Sequence, residues 1–173
     1  MTSNQADVAT LFLESSRHTL LELYLPRLRE CVGPLTDAQV WWRPNDACNS
    51  IGNLLLHLNG NVRQWIVASF NRLEDNRNRP VEFAERELIP ASVLLDRLGA
   101  TLQQVSDVLA RLTPDDLVAQ YEIQGYNVTG LRAVYHVVDH FAIHYGQILY
   151  IVKTLNGADL GFYKELNKTG RHS

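Results

Sequence analysis

The sequence predicts an all-α protein: a four-helix bundle with a long middle connection and short extra helical turns over residues 1–157, followed by a C-terminal tail at 158–173. Three observations carry this expectation. Four stretches repeat apolar residues at steps of three and four, the period that lines one face of an α-helix. Each stretch is bounded by residues that start or stop helices. The chain, 173 residues with 46% hydrophobic and 20% charged, is also long enough to bury one core without disulfide or metal staples.

The first stretch runs from about Val8 to Val32, with Val8, Leu11, Phe12, Leu21, Leu25, Leu28 and Val32 at helical spacing. Pro26 inside it removes a backbone donor, yet the stripe continues on both sides, so a kink rather than a break is expected. Gly33-Pro34 ends the stretch, and Thr36 to Gln39 can cap a short turn of helix. Trp41 and Trp42 are expected to cover the end of the core. A second helix begins near Asn49 or Ser50, either of which can accept from free N–H groups of a first turn. Its inner stripe is Ile51, Leu54, Leu55, Leu58, Val62, Trp65 and Ile66, and it ends around Phe70 to Leu73. The polar run Glu74 to Pro80 reads as loop. After Pro90, Leu95, Leu98, Leu102, Val105, Leu109 and Leu112 form a bundle seam. Thr113 to Asp116 opens another short turn, and Tyr121-Glu122-Ile123 before Gly125 reads as at most briefly extended. Thr129 caps the last helix, whose inner residues are Val134, Val138, Phe141, Tyr145, Ile148 and Val152, until Asn156-Gly157 stops it. Arg132, Asp139, Gly146 and Lys153, seven apart, mark its outward face.

Sixteen basic and 19 acidic residues, for a formal charge of −3, are scattered along the chain and build no field that attracts a phosphate backbone, so nucleic acid is not an expected partner. The start from Met1 to Asp7 is polar, and no apolar run approaches the ~20 residues that span a bilayer, so a cytoplasmic protein without membrane attachment is expected. Cys31 and Cys48 are then reduced thiols rather than a bridge.

The chemistry sits in the histidines. An isolated histidine on a helix is ordinarily a hydrogen-bonded core or surface residue. Here His57 lies in the second helix and His136, His140 and His144 in the last. Residues four apart share one side of a helix, so His140 and His144 can aim two ring nitrogens at one point. Measured from Asp139 on the outward face, the 100° step per residue turns His140 about 100° and His144 about 140° away from solvent. His136 and His144 are about 12 Å apart along the axis, too far to share an ion bound at ~2.0 to 2.1 Å. The pair is therefore either His136 with His140 or His140 with His144. His57, flanked by Asn53 and Asn61 one turn before and after, can supply a third nitrogen from a facing helix. Three nitrogen ligands leave a position for water or substrate, the arrangement of catalytic metal sites.

Trp42-Arg43-Pro44 leading into Ser50-Ile51-Gly52-Asn53-Leu54 with His57, and His140-Phe141-Ala142-Ile143-His144-Tyr145-Gly146-Gln147, resemble the DinB/YfiT-like superfamily of metal-binding four-helix bundles over about residues 10 to 155. The resemblance implies a divalent metal held by His57, His140 and His144, with His136 as a neighbour one turn away. Tyr145 stands where that family often has Arg. Members of known activity look like thiol-dependent transferases or isomerases.

The functional expectation is thus a divalent-metal-binding protein, an enzyme of thiol S-transferase type acting on a small electrophilic molecule, with zinc or nickel as the ion and a low-molecular-weight thiol as cosubstrate. The alternatives are a metal-dependent hydrolase or a non-enzymatic, stress-related metal-binding bundle. His136 and Gln147 are the candidates for handling a proton or orienting a ligand. A homodimer is the expected assembly.

Overall fold

In a computed structural model, the structure describes residues 3–157 and 159–164, with side chains from residue 8 onward. Residues 165–173, including His172 and most of the expected tail, lie outside the described residues. The bundle consists of four long helical rods. The first is α1 (Ser3–His18), a π-helical segment (Thr19–Tyr24) and α2 (Leu25–Val32). The second is α4 (Ile51–Val62), a π-helical segment (Arg63–Ala68) and α5 (Ser69–Asn71), preceded by the single turn α3 (Asp37–Val40). The third is α7 (Ala91–Leu109), reached through the short α6 (Arg79–Ala84), and the fourth is α9 (Gly130–Asn156). Between them lie α8 (Pro114–Val118) and a hairpin of β1 (Gln120–Ile123) and β2 (Tyr126–Thr129).

Pro26 does not end the first rod. A proline ring collides with the carbonyl four residues back. The chain widens into the π-helical segment just before it, where Leu25 N–H reaches Leu20 O, five residues back. The extra residue re-phases the helix, which explains a departure from the expected stripe. Val8 and Leu11 are exposed, at 67% and 61%, while Ala9, Leu13 and Leu20 turn inward and Leu28 and Val32 continue the stripe beyond the widening.

Helix starts follow the predicted chemistry. Thr36, Ser50 and Thr113 each close a reciprocal capping box with Gln39, Asn53 and Asp116, and Thr129 Oγ1 accepts from Arg132 N–H. Gly157 ends α9 in the left-handed region at φ 62°. The stripe of the second rod is buried from Ile51 to Ile66, the seam of α7 from Leu95 to Leu109, and α9 contributes Val134, Phe141, Tyr145, Ile148 and Val152 to the same core. Trp41 lies against Gly52, where a Cβ would come within 2.7 Å of its ring, and its indole N–H donates to Ile89 O. Trp42 does not cover the core: it is 38% exposed, because α3 ends at Val40 and the next residues run over the surface.

The expected brief extension is a true two-stranded antiparallel hairpin. Gln124 and Gly125, at φ 56° and 79°, form its two-residue turn, a geometry that matches the twist of the strands. Trp65 Nε1 donates to Gln124 Oε1, tying the turn to the second rod. Among the described residues no helix is long and apolar enough to cross a membrane.

Candidate metal centre

His57, 2% exposed, projects from α4 toward the middle of α9, where His140 and His144 lie one turn apart. One ring nitrogen from each lies within 4.8 Å of the other two. The tightest approach is His57 Nε2 to His140 Nε2, at 3.1 Å. Ligand nitrogens placed tetrahedrally around an ion at ~2.0 to 2.1 Å are about 3.3 Å apart, so this spacing is that of two ligands sharing one ion.

The groups behind the rings orient them. Glu82 Oε2 lies 2.9 Å and Arg77 Nη2 3.1 Å from His57 Nδ1; with the carboxylate accepting from Nδ1–H, the His57 Nε2 lone pair faces the centre. Gln147 Oε1 accepts from His144 Nδ1–H at 2.7 Å and leaves that ring's Nε2 bare in the same way. Burial, and then the neighbouring charges of His144, His136 and His57, push His140 down to about 3. Burial also lowers His144; the Gln147 hydrogen bond opposes this, and the charges of His57 and Arg79 add to it. At neutral pH the rings of His140 and His144 are therefore uncharged, and each has a lone pair to offer. Two ring nitrogens come to 3.1 Å through an N–H···N hydrogen bond or a shared cation, and the convergence of a third ring within 4.8 Å suits the cation. A divalent metal fits the donor set. His140 Nδ1 is buried with no hydrogen-bond partner among the described residues.

The support for His57 comes from the middle connection, and no sequence pattern announced it. Arg77 Nε and Nη2 donate to both Glu82 oxygens, at 2.7 and 2.9 Å, and Nη1 donates to Gln64 Oε1 at 2.8 Å. Gln64 in turn contacts Asp75. Asn53 Nδ2 donates to the carbonyls of Glu82 and Glu85, at 3.0 and 3.1 Å, and so docks α6 on α4. Burial pushes the Glu82 carboxyl up, but the hydrogen bonds from Arg77 and His57 outweigh it and hold the group below the usual carboxylate range. Gly60 makes room, since a Cβ there would collide with Glu82 Oε1 and lie 2.8 Å from Arg77 Nε. The only advance signal for Glu82 is general: metal-ligating histidines usually donate their second N–H to a carboxylate.

His136 stands outside the group. Its ring stacks on Trp65 with centroids 3.9 Å apart, its Nε2 is 3.5 Å from Asn61 Nδ2, and its centroid is 5.3 Å from that of His140. Burial, with the Arg132 charge, lowers its pKa. Of the two pairs left open by spacing, His140 with His144 is the one that converges with His57. Tyr145 is 8% exposed and stacks on Tyr24 with centroids 4.6 Å apart, so that position serves the core. Beside the centre opens a cavity of about 610 Å³ lined by His57, His140, His136, Asn61, Trp65 and the hairpin, among others.

The DUF1572 family of proteins of unknown function matches residues 7–165. The chain belongs to that family. No curated protein gives a match. Among solved structures, this DUF1572 chain is similar to a DinB-like protein from Bacillus cereus ATCC 10987, with 15% identity and a TM-score of 0.64 over 86% of this chain and 93% of that one. It is also similar to a conserved protein from Enterococcus faecalis, with 18% identity and a TM-score of 0.66 over 91% of this chain and 99% of that one. The DUF1572 chain therefore has the DinB-like fold, and it carries a histidine triad that could hold a metal.

Proposed function

We propose that the protein is a metal-dependent enzyme that joins a low-molecular-weight thiol to a small electrophilic molecule, with His57, His140 and His144 holding zinc or nickel. One observation carries this reading: three imidazole nitrogens lie within 4.8 Å of one another, and two of their rings, His57 and His140, line a cavity of about 610 Å³. A structural metal site is closed by four protein ligands, whereas three leave a position for an exogenous group. Bound there, a divalent ion lowers the pKa of a thiol or water on that position. Glu82 and Gln147 orient two of the rings. His136, against Trp65 and at the cavity wall, is placed to hold a proton near the reacting group. The setting is a cytoplasmic homodimer, consistent with two free cysteines, of which Cys31 is buried and its thiol pushed up to about 11 by that burial.

The test is turnover of a haloaromatic electrophile by zinc- or nickel-loaded protein with and without a small thiol. The reading expects thiol-dependent product that disappears in His140→Ala. Turnover that ignores the thiol would make the protein a hydrolase, and metal binding without turnover would leave a non-enzymatic bundle.

A further inference from the structure

The cavity beside the histidine centre has a charge character that the metal alone does not explain. The charged side chains lining it, apart from the histidines, are Arg77, Arg79 and Arg132, in a chain whose net charge is −3. Arg77 is matched by Glu82. Arg79, at the start of α6, and Arg132, in the first turn of α9, have no carboxylate partner among the described residues. Each guanidinium is steadied instead on an aromatic face, Arg79 at 4.8 Å from the Phe83 centroid and Arg132 at 5.5 Å from that of Tyr135. Their planar donor forks remain free for a carboxylate or phosphate. Asp139, on α9, is exposed and does not line the cavity.

We infer that this cavity binds a small organic anion, its carboxylate or phosphate held by Arg79 and Arg132. The inference rests on the proposed metal-dependent reaction for what happens at the ligand's other end. It deepens that reading by making the thiol, or its acceptor, an anion. Trp65 and Tyr126 add aromatic wall to the same cavity.

The experiment is calorimetric titration of zinc-loaded protein with N-acetylcysteine and with N-acetylcysteamine, which has the same thiol and amide but no carboxylate. The anionic thiol is expected to bind at least about tenfold tighter, the scale of one charge-assisted contact. That preference disappears in the Arg79→Gln/Arg132→Gln variant, whose zinc content stays at the wild-type level, and is partly restored by lysine at both positions. Raising the salt to about 1 M, where screening acts within about 3 Å, weakens the anion and not the neutral thiol. Metal-free protein separates this inference from the metal reading: N-acetylalanine is expected to bind more tightly than N-acetylalaninamide there too. Equal binding of charged and neutral probes, or a preference that survives loss of both arginines, overturns the inference whether or not zinc is bound.

Discussion

Glu82→Ala is expected to act on both the stability and the metal affinity of the protein. The Glu82 side chain is 12% exposed and that of Arg77 5%, and the two make a bidentate pair at 2.7 and 2.9 Å. Removing the carboxylate leaves the guanidinium buried, with only uncharged acceptors beside it: the Gln64 side-chain oxygen, the backbone carbonyl of His57 and His57 Nδ1. Breaking one side of such a pair costs about 3 to 5 kcal/mol, because the remaining charge is uncompensated. The same change leaves Arg77 Nη2, 3.1 Å from His57 Nδ1, to donate to that nitrogen, which moves the ring proton to Nε2, and losing such a carboxylate partner typically lowers metal affinity about 10- to 100-fold. Urea unfolding of metal-free protein reads the first effect and competition with a chromophoric chelator reads the second. An Arg77→Met/Glu82→Leu double variant separates them: stability recovers, since no charge is buried, while the affinity deficit persists. A Glu82→Ala protein as stable as wild type, binding metal equally well, would refute the role assigned to this carboxylate.

Three further outcomes follow from the geometry. Gly60→Ala places a methyl group against the flexible end of Glu82, so the fold survives but the carboxylate is displaced from His57; chelator competition is expected to show weakened metal binding, and unchanged affinity would contradict the close approach. Gln147 is exposed, so Gln147→Ala is expected to leave the melting temperature within a degree or two while lowering metal affinity by up to about tenfold through loss of the His144 contact. For pH, His140 in the metal-free fold titrates at about 3 rather than 6.5, so below about 6.5 the unfolded chain takes up a proton that the folded one does not, and stability falls as pH drops toward 3. The lowered Glu82 carboxyl adds to this, its contribution being present above its unfolded value of 4.5 and lost as pH falls through its folded value. Denaturation midpoints of metal-free protein are expected to decline steadily from pH 7 to pH 4, and a flat profile would contradict the buried, uncharged state of His140.

Much of this architecture was legible because helical burial is periodic. The steps of three and four placed the four rods, the cap candidates at Asn49 or Ser50 and the turn opened by Thr113 marked helix starts, and four-residue spacing put His140 and His144 on one inner face. Choosing between His136 and His144 needed the phase of α4 against α9, a long-range quantity that neither helix encodes alone. The widening before Pro26 shifted Val8 and Leu11 out of the stripe, since a π-helical residue breaks the period on which the expectation relied. Arg77 and Glu82 were invisible for a different reason. They lie in and after an irregular connection, where the contact to His57 is set by docking through Asn53 and by the absence of a side chain at Gly60. The hairpin has only four residues per strand, too few for alternation to stand out.

The central claim is that three imidazoles from two helices share one ion. X-ray absorption at the metal edge tests it most directly, on protein purified without a histidine tag and loaded with one equivalent of zinc. Wild-type protein is expected to show a nitrogen and oxygen shell at about 2.0 to 2.1 Å with the outer-shell signature of three imidazoles and no sulfur, falling to two in each of His57→Ala, His140→Ala and His144→Ala and remaining three in His136→Ala. A sulfur shell, an imidazole count that the three ligand substitutions leave unchanged, or protein that retains no zinc would contradict it.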